Sequence, residues 1–276
     1  TGGMNWEVQI YDPNLTILLS STSYNGPSGT ADSANGVAIG KDGSIYVAGF
    51  ETVPGQLENW KIIRYDPALS AALGSTSYDL GGNLDRAVAV SLDRNGNVYV
   101  AGYSLAGGSG YDWRIRKYDP TLNVLLASTV YNGPGSQDDS PTSLAIDQDD
   151  NVVVGGYEDA DPGAGFDRNW RVNKYDNALN LLASGVHAGV KGDIDELNAV
   201  AVRGSGSVYA AGMESVRDGS NESVVARFEF AAFSPPAAPS GLTVAAFGPS
   251  IGLQWTPSTA GARAIQGYKI YRQTWT

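Results

Sequence analysis

Four aspartates, Asp32, Asp85, Asp139 and Asp195, each stand five residues before the first apolar residue of a short apolar segment, at Val37, Val90, Leu144 and Val200. One carboxylate per repeat, directed at a common axis, is a donor set for Ca²⁺ or a cationic ligand, because hard cations take oxygen ligands. The same spacing also suits loop closure, in which an Asp side chain accepts backbone N–H groups of its own loop. Every repeat has the same loop to close. Repetition therefore favours loop closure as the expectation, with a carboxylate ring around Ca²⁺ as the alternative.

The other chemistry-bearing residues point away from catalysis. Asp147-Gln148-Asp149-Asp150-Asn151 is acidic but lacks the Gly and the distant Glu of an EF-hand loop, so it reads as an acidic turn. Ser91-Leu92-Asp93-Arg94-Asn95-Gly96 is similar to the Asp-box turn of sialidases but has one residue too many before Gly, and it too reads as a turn. His187 is the single histidine and has no second His or Cys for a metal site or triad. It falls near the place held by Tyr24, Tyr78 and Tyr131 in other copies, an aromatic slot. Without cysteine there is no thiol nucleophile, disulfide or Cys-ligated zinc. Trp6, Trp60, Trp113 and Trp170 could stack on sugars, but apolar neighbours two residues on assign them to a core. The Tyr-Asp-Pro series that follows is expected to be exposed, a turn first and a ligand contact second. Carboxylates are numerous enough that a glycosidase pair is not excluded by counting. Yet the widest departures from the repeat, Ser104–Gly110 and Asp159–Asp167, are short and Gly-rich. No catalytic residue and no cofactor site is assigned.

The elements that position these residues repeat. The tryptophans recur at spacings of 54, 53 and 57 residues and open one phrase: NWEVQIYDP (5–13), NWKIIRYDP (59–67), DWRIRKYDP (112–120) and NWRVNKYDN (169–177). A second phrase follows in each copy: VAIGKDGSIYVAG (37–49), VSLDRNGNVYVAG (90–102), LAIDQDDNVVVGG (144–156) and VAVRGSGSVYAAG (200–212). The VAI-type segments predict a first, inner strand. SIYVAG and its equivalents, after a Gly- or Asp-bearing turn, predict a second, and the closing Gly is read as a turn in tight space. The Trp phrase alternates with period two and predicts a third. Over 67–73 helical propensity competes, but the counterpart Asn14–Ser20 carries β-branched residues, so reading across copies predicts a fourth strand there.

A four-stranded unit cannot bury both faces alone, and radial stacking of copies, a β-propeller, buries them. The fold class expected is all-β: a propeller of four-stranded blades built from four tandem repeats of about 54 residues. Counting Val224–Phe230, the third strand has five copies against four inner hairpins and four outer strands. Closure as four blades would make Trp6–Asp12 and Val224–Phe230 compete for one place, so the ring is expected to be incomplete.

The run of Asp and, from five positions on, V-A-V-D-x-x-G-N-V-Y-V-A-G resembles the bacterial seven-bladed β-propeller repeat family, over about residues 5–230. That family carries a phrase like F-V-A-K-Y-D where this chain has W-x-I-x-K-Y-D, and Val224–Phe228 matches it best. The resemblance implies an exported bacterial protein of about seven blades, the others upstream, and no catalytic residue. After the propeller (1–233) comes a Pro-rich linker (234–238). Residues 239–276 resemble the start of a fibronectin type III domain, with strands at 241–244, 251–255 and 267–272 and Trp255 as the core tryptophan. Such a sandwich needs roughly 100 residues, so this truncated β-sandwich implies a longer polypeptide.

Bulk composition sets the remaining bounds. Of 276 residues, 42% are hydrophobic and only 17% charged, with 35 glycines, as suits a globular chain with many turns. The balance of 18 basic and 29 acidic residues, a net charge of −11, argues against nucleic acid or an anionic membrane surface as partner. No apolar run reaches the ~20 residues of a membrane helix. The expectation is an extracellular or cell-surface, non-catalytic scaffold for an unknown glycan or protein ligand. The alternatives are a carbohydrate-active hydrolase or lyase using channel carboxylates and a structural spacer in a surface fibre.

Overall fold

The computed structural model describes residues 3–105, 110–161, 163, 167–189, 194–215, 221–230, 240–247 and 250–256. Among these residues all regular structure is β. The chain divides into two compact units, Thr1–Phe230 and Ala231–Thr276.

The larger unit holds three complete antiparallel blades flanked by two partial ones. Blade 1 is β3 (Ser33–Ile39), β4 (Ile45–Thr52), β5 (Glu58–Tyr65) and β6 (Ala72–Tyr78). Blade 2 is β7 (Asp85–Leu92), β8 (Val98–Leu105), β9 (Tyr111–Tyr118) and β10 (Leu125–Tyr131). Blade 3 is β11 (Ser140–Ile146), β12 (Val152–Asp159), β13 (Arg168–Tyr175) and β14 (Leu181–His187). Ahead of them β1 (Trp6–Tyr11) and β2 (Leu18–Tyr24) pair alone, and behind them β15 (Glu196–Arg203), β16 (Ser207–Ser215) and β17 (Asn221–Glu229) form a three-stranded sheet. Each inner strand lies against the preceding blade: β7 on β3, β4 and β5; β11 on β7, β8 and β9; β15 on β11, β12 and β13. This is the stacking of a propeller. Among the described residues β15, β16 and β17 neither pair with β1 or β2 nor pack on them as successive blades pack on each other, in keeping with an incomplete ring.

The core lies between blades. Between blades 1 and 2, Trp60, Ile62, Tyr46 and Ala48 meet Val90, Val98, Val100 and Leu122. The following junction repeats the pattern with Tyr99, Trp113, Ile115, Val152, Val154 and Leu179. In the trailing sheet Ser223 takes the Trp place, opposite Met213 as Trp170 is opposite Tyr157, and Val225 is 74% exposed.

Three expectations change. Residues 67–71 are a turn and not strand, and β6 starts at Ala72. The turn is fixed by the Asp66 carboxylate, which accepts the N–H of Ala68 and of Ser70. It forces a left-handed backbone on Leu69, as its equivalents do on Leu15, Leu122 and Leu179. Strain of about 1–2 kcal/mol per residue is offset where the leucine fills a blade junction: Leu69, Leu122 and Leu179 are 3–4% exposed. Second, the Gly closing each second phrase lies inside its strand. A Cβ on Gly102 would overlap the Arg86 carbonyl oxygen and come 2.7 Å from Trp60 Cζ2. This close approach accompanies a register shift between Ala87 and Ala89 on the facing inner strand. Third, Tyr65, Tyr118 and Tyr175 of the Tyr-Asp-Pro series are buried in the junctions, and only Tyr11 is exposed.

In the second unit β18 (Ser240–Phe247) and β19 (Ser250–Thr256) pair antiparallel. The strand expected at 267–272 lies outside the described residues.

Candidate functional site

Asp32, Asp85, Asp139 and Asp195 are no more than 1% exposed. Each opens the approach to an inner strand, where the chain passes from one blade to the next. Asp32 accepts the N–H of Gly26, in its own loop, at 2.6 Å and that of Thr52, at the end of β4, at 2.9 Å. Asp195 accepts those of Gly189 at 2.7 Å and Ser215 at 2.9 Å. Asp139 accepts those of Gly133 and, at 2.9 Å, Asp159. The carboxylate therefore joins two segments, where the sequence alone suggested bonds within one loop. Burial pushes the Asp139 carboxyl up to about 7, against the pull of its two N–H donors and with the Glu158 and Asp112 carboxylates nearby adding to the rise. Asp85 departs from the pattern. It accepts the N–H of Leu80 at 2.7 Å, but its Oδ1 has no partner.

A second set locks blade to blade. The indole N–H of Trp6, Trp60, Trp113 and Trp170 donates to the carbonyl of Phe50, Tyr103, Tyr157 and Met213 at 2.9, 3.1, 3.1 and 3.0 Å. Beside each indole sits an aromatic ring of the same blade, Tyr24, Tyr78, Tyr131 or His187, with centroids 5.0–5.6 Å apart. His187 thus occupies the aromatic slot. Tyr24 and Tyr131 donate to Glu51 and Glu158 of the following blade, and His187 Nε2 lies 2.9 Å from Glu214. These acids escaped the sequence reading, although an acid two residues beyond the glycine in three of four copies was the available signal.

At the inner hairpins, Asp93 and Asp147 each fold a turn around one carboxylate. Asp147 accepts the N–H of Asp149 and Asn151 and pairs with the buried ammonium of Lys174 at 2.8 Å. The acidic run 147–151 is a hydrogen-bonded turn, and its Asp150 reaches Arg94 at 3.1 Å. Here Ile39, Leu92 and Ile146, with Lys41, Arg94 and Asp150, line a cavity of about 290 Å³.

Blade 2 breaks the polar pattern. Glu51 and Glu158 sit opposite Asn59 and Asn169, but Ser104 sits opposite Asp112, so the carboxylate has moved one strand over. Four buried atoms there, Asp85 Oδ1, Ser104 Oγ, Asp112 Oδ1 and Arg114 Nε, lack hydrogen-bond partners. Burial holds both aspartates above the usual carboxylate range. Among the described residues no three His, Asp or Glu side chains are grouped to hold a metal ion.

No protein-family model matches the chain, and no curated protein matches it. Among solved structures it is similar to a protein of unknown function from Dyadobacter fermentans, with a TM-score of 0.50 and 12% identity over 81% of this chain and 67% of that one. It is also similar to a subtype N11 neuraminidase-like protein of A/flat-faced bat/Peru/033/2010, at 0.46 and 12% identity over 86% of this chain and 71% of that one. A GH43 β-xylosidase/α-arabinofuranosidase from a compost microbial metagenome gives 0.45 and 10% identity over 80% and 84%. At such identities the likeness concerns the fold alone.

Proposed function

We propose that this chain is a non-catalytic scaffold of an exported protein, presenting blade surfaces for binding, adhesion or display toward a glycan or protein ligand. One observation carries the reading: the polar residues that recur in the repeat have recurring structural duties. Asp32, Asp139 and Asp195 close loops, Asp66 and its equivalents fix outer turns, and Glu51 and Glu158 lock blades. A carboxylate that serves the same backbone donors in each blade is accounted for without a substrate. The repeat's resemblance to the bacterial seven-bladed propeller family, the fibronectin-like tail and the acidic, cysteine-free composition support an extracellular or cell-surface setting.

A carbohydrate-active hydrolase or lyase is the rival, and blade 2 is its best support, because Asp85 and Asp112 are carboxyls held toward the neutral form. Both are buried, at 0% and 6% exposure, which keeps them from a substrate. A screen of glycosides and polysaccharides, run beside a glycan and protein array, separates the readings. Saturable array binding without turnover is expected. Turnover abolished by one Asp or Glu substitution would overturn the proposal, and a silent array would favour a spacer in a surface fibre.

A further inference from the structure

Blade 2 lies between two complete blades and carries a row of polar residues in register across three strands: Asp85 on β7, Ser104 on β8 and Asp112 on β9. Opposed residues in a sheet project to one face. The three side chains therefore share a face, and Arg114, two residues along β9 from Asp112, lies on it too. Blades 1 and 3 carry Glu and Asn at the last two places, Glu51 with Asn59 and Glu158 with Asn169. Exchange of Asn for Asp keeps the volume. Exchange of Glu for Ser removes most of a side chain, and with it the acceptor to which Tyr24 and Tyr131 donate at their junctions. Tyr78 holds the equivalent place before blade 2, with the Arg114 guanidinium 5.4 Å from its ring centroid, and Ser104 stands where the glutamate would be.

The hydrogen-bond balance changes with the volume. The row of blade 3 leaves no buried side-chain atom without a bond, and that of blade 1 leaves only Asn59 Oδ1. The row of blade 2 leaves Asp85 Oδ1, Ser104 Oγ and Asp112 Oδ1, and on the same face Arg114 Nε. Asp85 and Ser104 are 0% exposed and Asp112 6%, so bulk solvent does not serve these atoms. Burial raises both carboxyls, and the charge of Arg114 opposes the rise in each, as suits a guanidinium close to both.

The chemistry of these four atoms selects a ligand. The carboxylate oxygens accept, Arg114 Nε only donates, and Ser104 Oγ can do either. A metal or ammonium cation is opposed by Arg114, and a halide or carboxylate by the two aspartates. A neutral molecule with two donors and two acceptors suits all of them, and at the size freed by a Glu-to-Ser exchange that molecule is water. We propose that blade 2 binds one buried water in this row, which donates to Asp85 Oδ1 and Asp112 Oδ1 and accepts from Ser104 Oγ and Arg114 Nε. Buried waters typically make about three such bonds to groups that would otherwise go unsatisfied. The water takes the place that Glu51 and Glu158 fill with a carboxylate, so the junction of blades 1 and 2 is sealed through solvent where its neighbours are sealed by a side chain.

The test is a high-resolution crystal structure of the full chain, with crystals also grown in rubidium bromide so that either ion would give an anomalous signal. One ordered, non-anomalous peak is expected within hydrogen-bond distance of about three or more of the four atoms. An anomalous peak there, or the four atoms bonded to one another with no peak among them, would overturn the proposal. The paired exchange Ser104→Glu with Asp112→Asn gives blade 2 the row of blades 1 and 3. The peak should vanish from that variant, and its melting temperature should equal or exceed that of wild type. Asp112→Asn alone, which takes a nearby carboxylate from Arg114, should melt lower. A peak retained in the paired variant, or a paired variant that melts below Asp112→Asn, would equally overturn it.

Discussion

The indole N–H of Trp113 donates to the main-chain carbonyl of Tyr157, 3.1 Å away on the next blade, while its ring stands edge-on to Tyr131 at 5.3 Å. One residue therefore holds its own blade to its neighbour by packing and by a buried hydrogen bond. The bond is the smaller part and can be removed alone.

Trp113→Phe keeps an aromatic ring and deletes the donor. Losing the buried bond to Tyr157, a residue that keeps its strand partners Ser140 and Trp170, should cost about 0.5–1.5 kcal/mol, and Trp113→Ala about 3–5 kcal/mol. Urea unfolding of both variants checks the ranking. Equal losses would mean that the bond has no measurable share.

Lys174 is a buried cation held by Asp147 at 2.8 Å and by the Ser205 carbonyl. Lys174→Met removes one partner and strands the other carboxylate, which should cost about 3–5 kcal/mol. Replacing Asp147 as well, with Asn, should cost less than the sum of the two single changes. A double-mutant cycle reads the difference, and strict additivity would contradict a direct pair.

The repeat, the strand order and the incomplete ring were legible in the sequence because Trp113 and its equivalents, with period-two neighbours, mark the same strand in each copy. His187 in the Tyr slot was legible for the same reason: alignment of copies reveals a shared position whatever occupies it. The outer turn was not. Nothing in Pro67-Ala68-Leu69-Ser70 announces a left-handed leucine, because its strain is offset by a junction formed with Trp6, about sixty residues away in the chain. The second partner of each clip aspartate was hidden likewise. Thr52 N–H stands twenty residues from Asp32 and meets it only once the blade is folded.

Leu15 and Leu122 share one backbone conformation, with φ of 57° and 65°, but are 78% and 3% exposed. Leu15→Gly should relieve strain with little burial to lose and stabilise by up to about 1 kcal/mol. Leu122→Gly should destabilise by about 2–5 kcal/mol, because lost core packing outweighs the relief. Thermal melts that place both variants on the same side of wild type would refute the offset between strain and burial.

Asp139 links stability to pH. Its carboxyl is raised by burial from the ordinary 3.8 to about 7 in the folded chain. Between those values the folded state holds a proton that the unfolded state has released. This contribution is therefore fully present below about pH 4 and is lost as pH rises to about 7. In Asp139→Asn the difference from wild type should narrow as pH rises across that window, even though the variant is less stable throughout. Melting temperatures measured from pH 4 to pH 8 give the comparison, and parallel curves would place the carboxyl at an ordinary value.

The clip aspartates also predict an order of losses and a response to calcium. Asp32→Ala leaves the N–H groups of Gly26 and Thr52 without their acceptor, and should cost on the order of 1–3 kcal/mol. Asp85→Ala frees only the Leu80 N–H and removes a carboxylate whose other oxygen had no partner, so its loss should be smaller. Calcium binding makes a different demand, since several oxygens must come within about 2.3–2.6 Å of one ion. Carboxylates that each point at the main chain of their own blade are committed elsewhere. Melting wild type, Asp32→Ala and Asp85→Ala with calcium and with chelator separates the two duties. Loop closure expects the larger drop for Asp32→Ala and little calcium dependence in any of the three. A large calcium-dependent rise in wild type that vanishes in either variant would make these aspartates ion ligands.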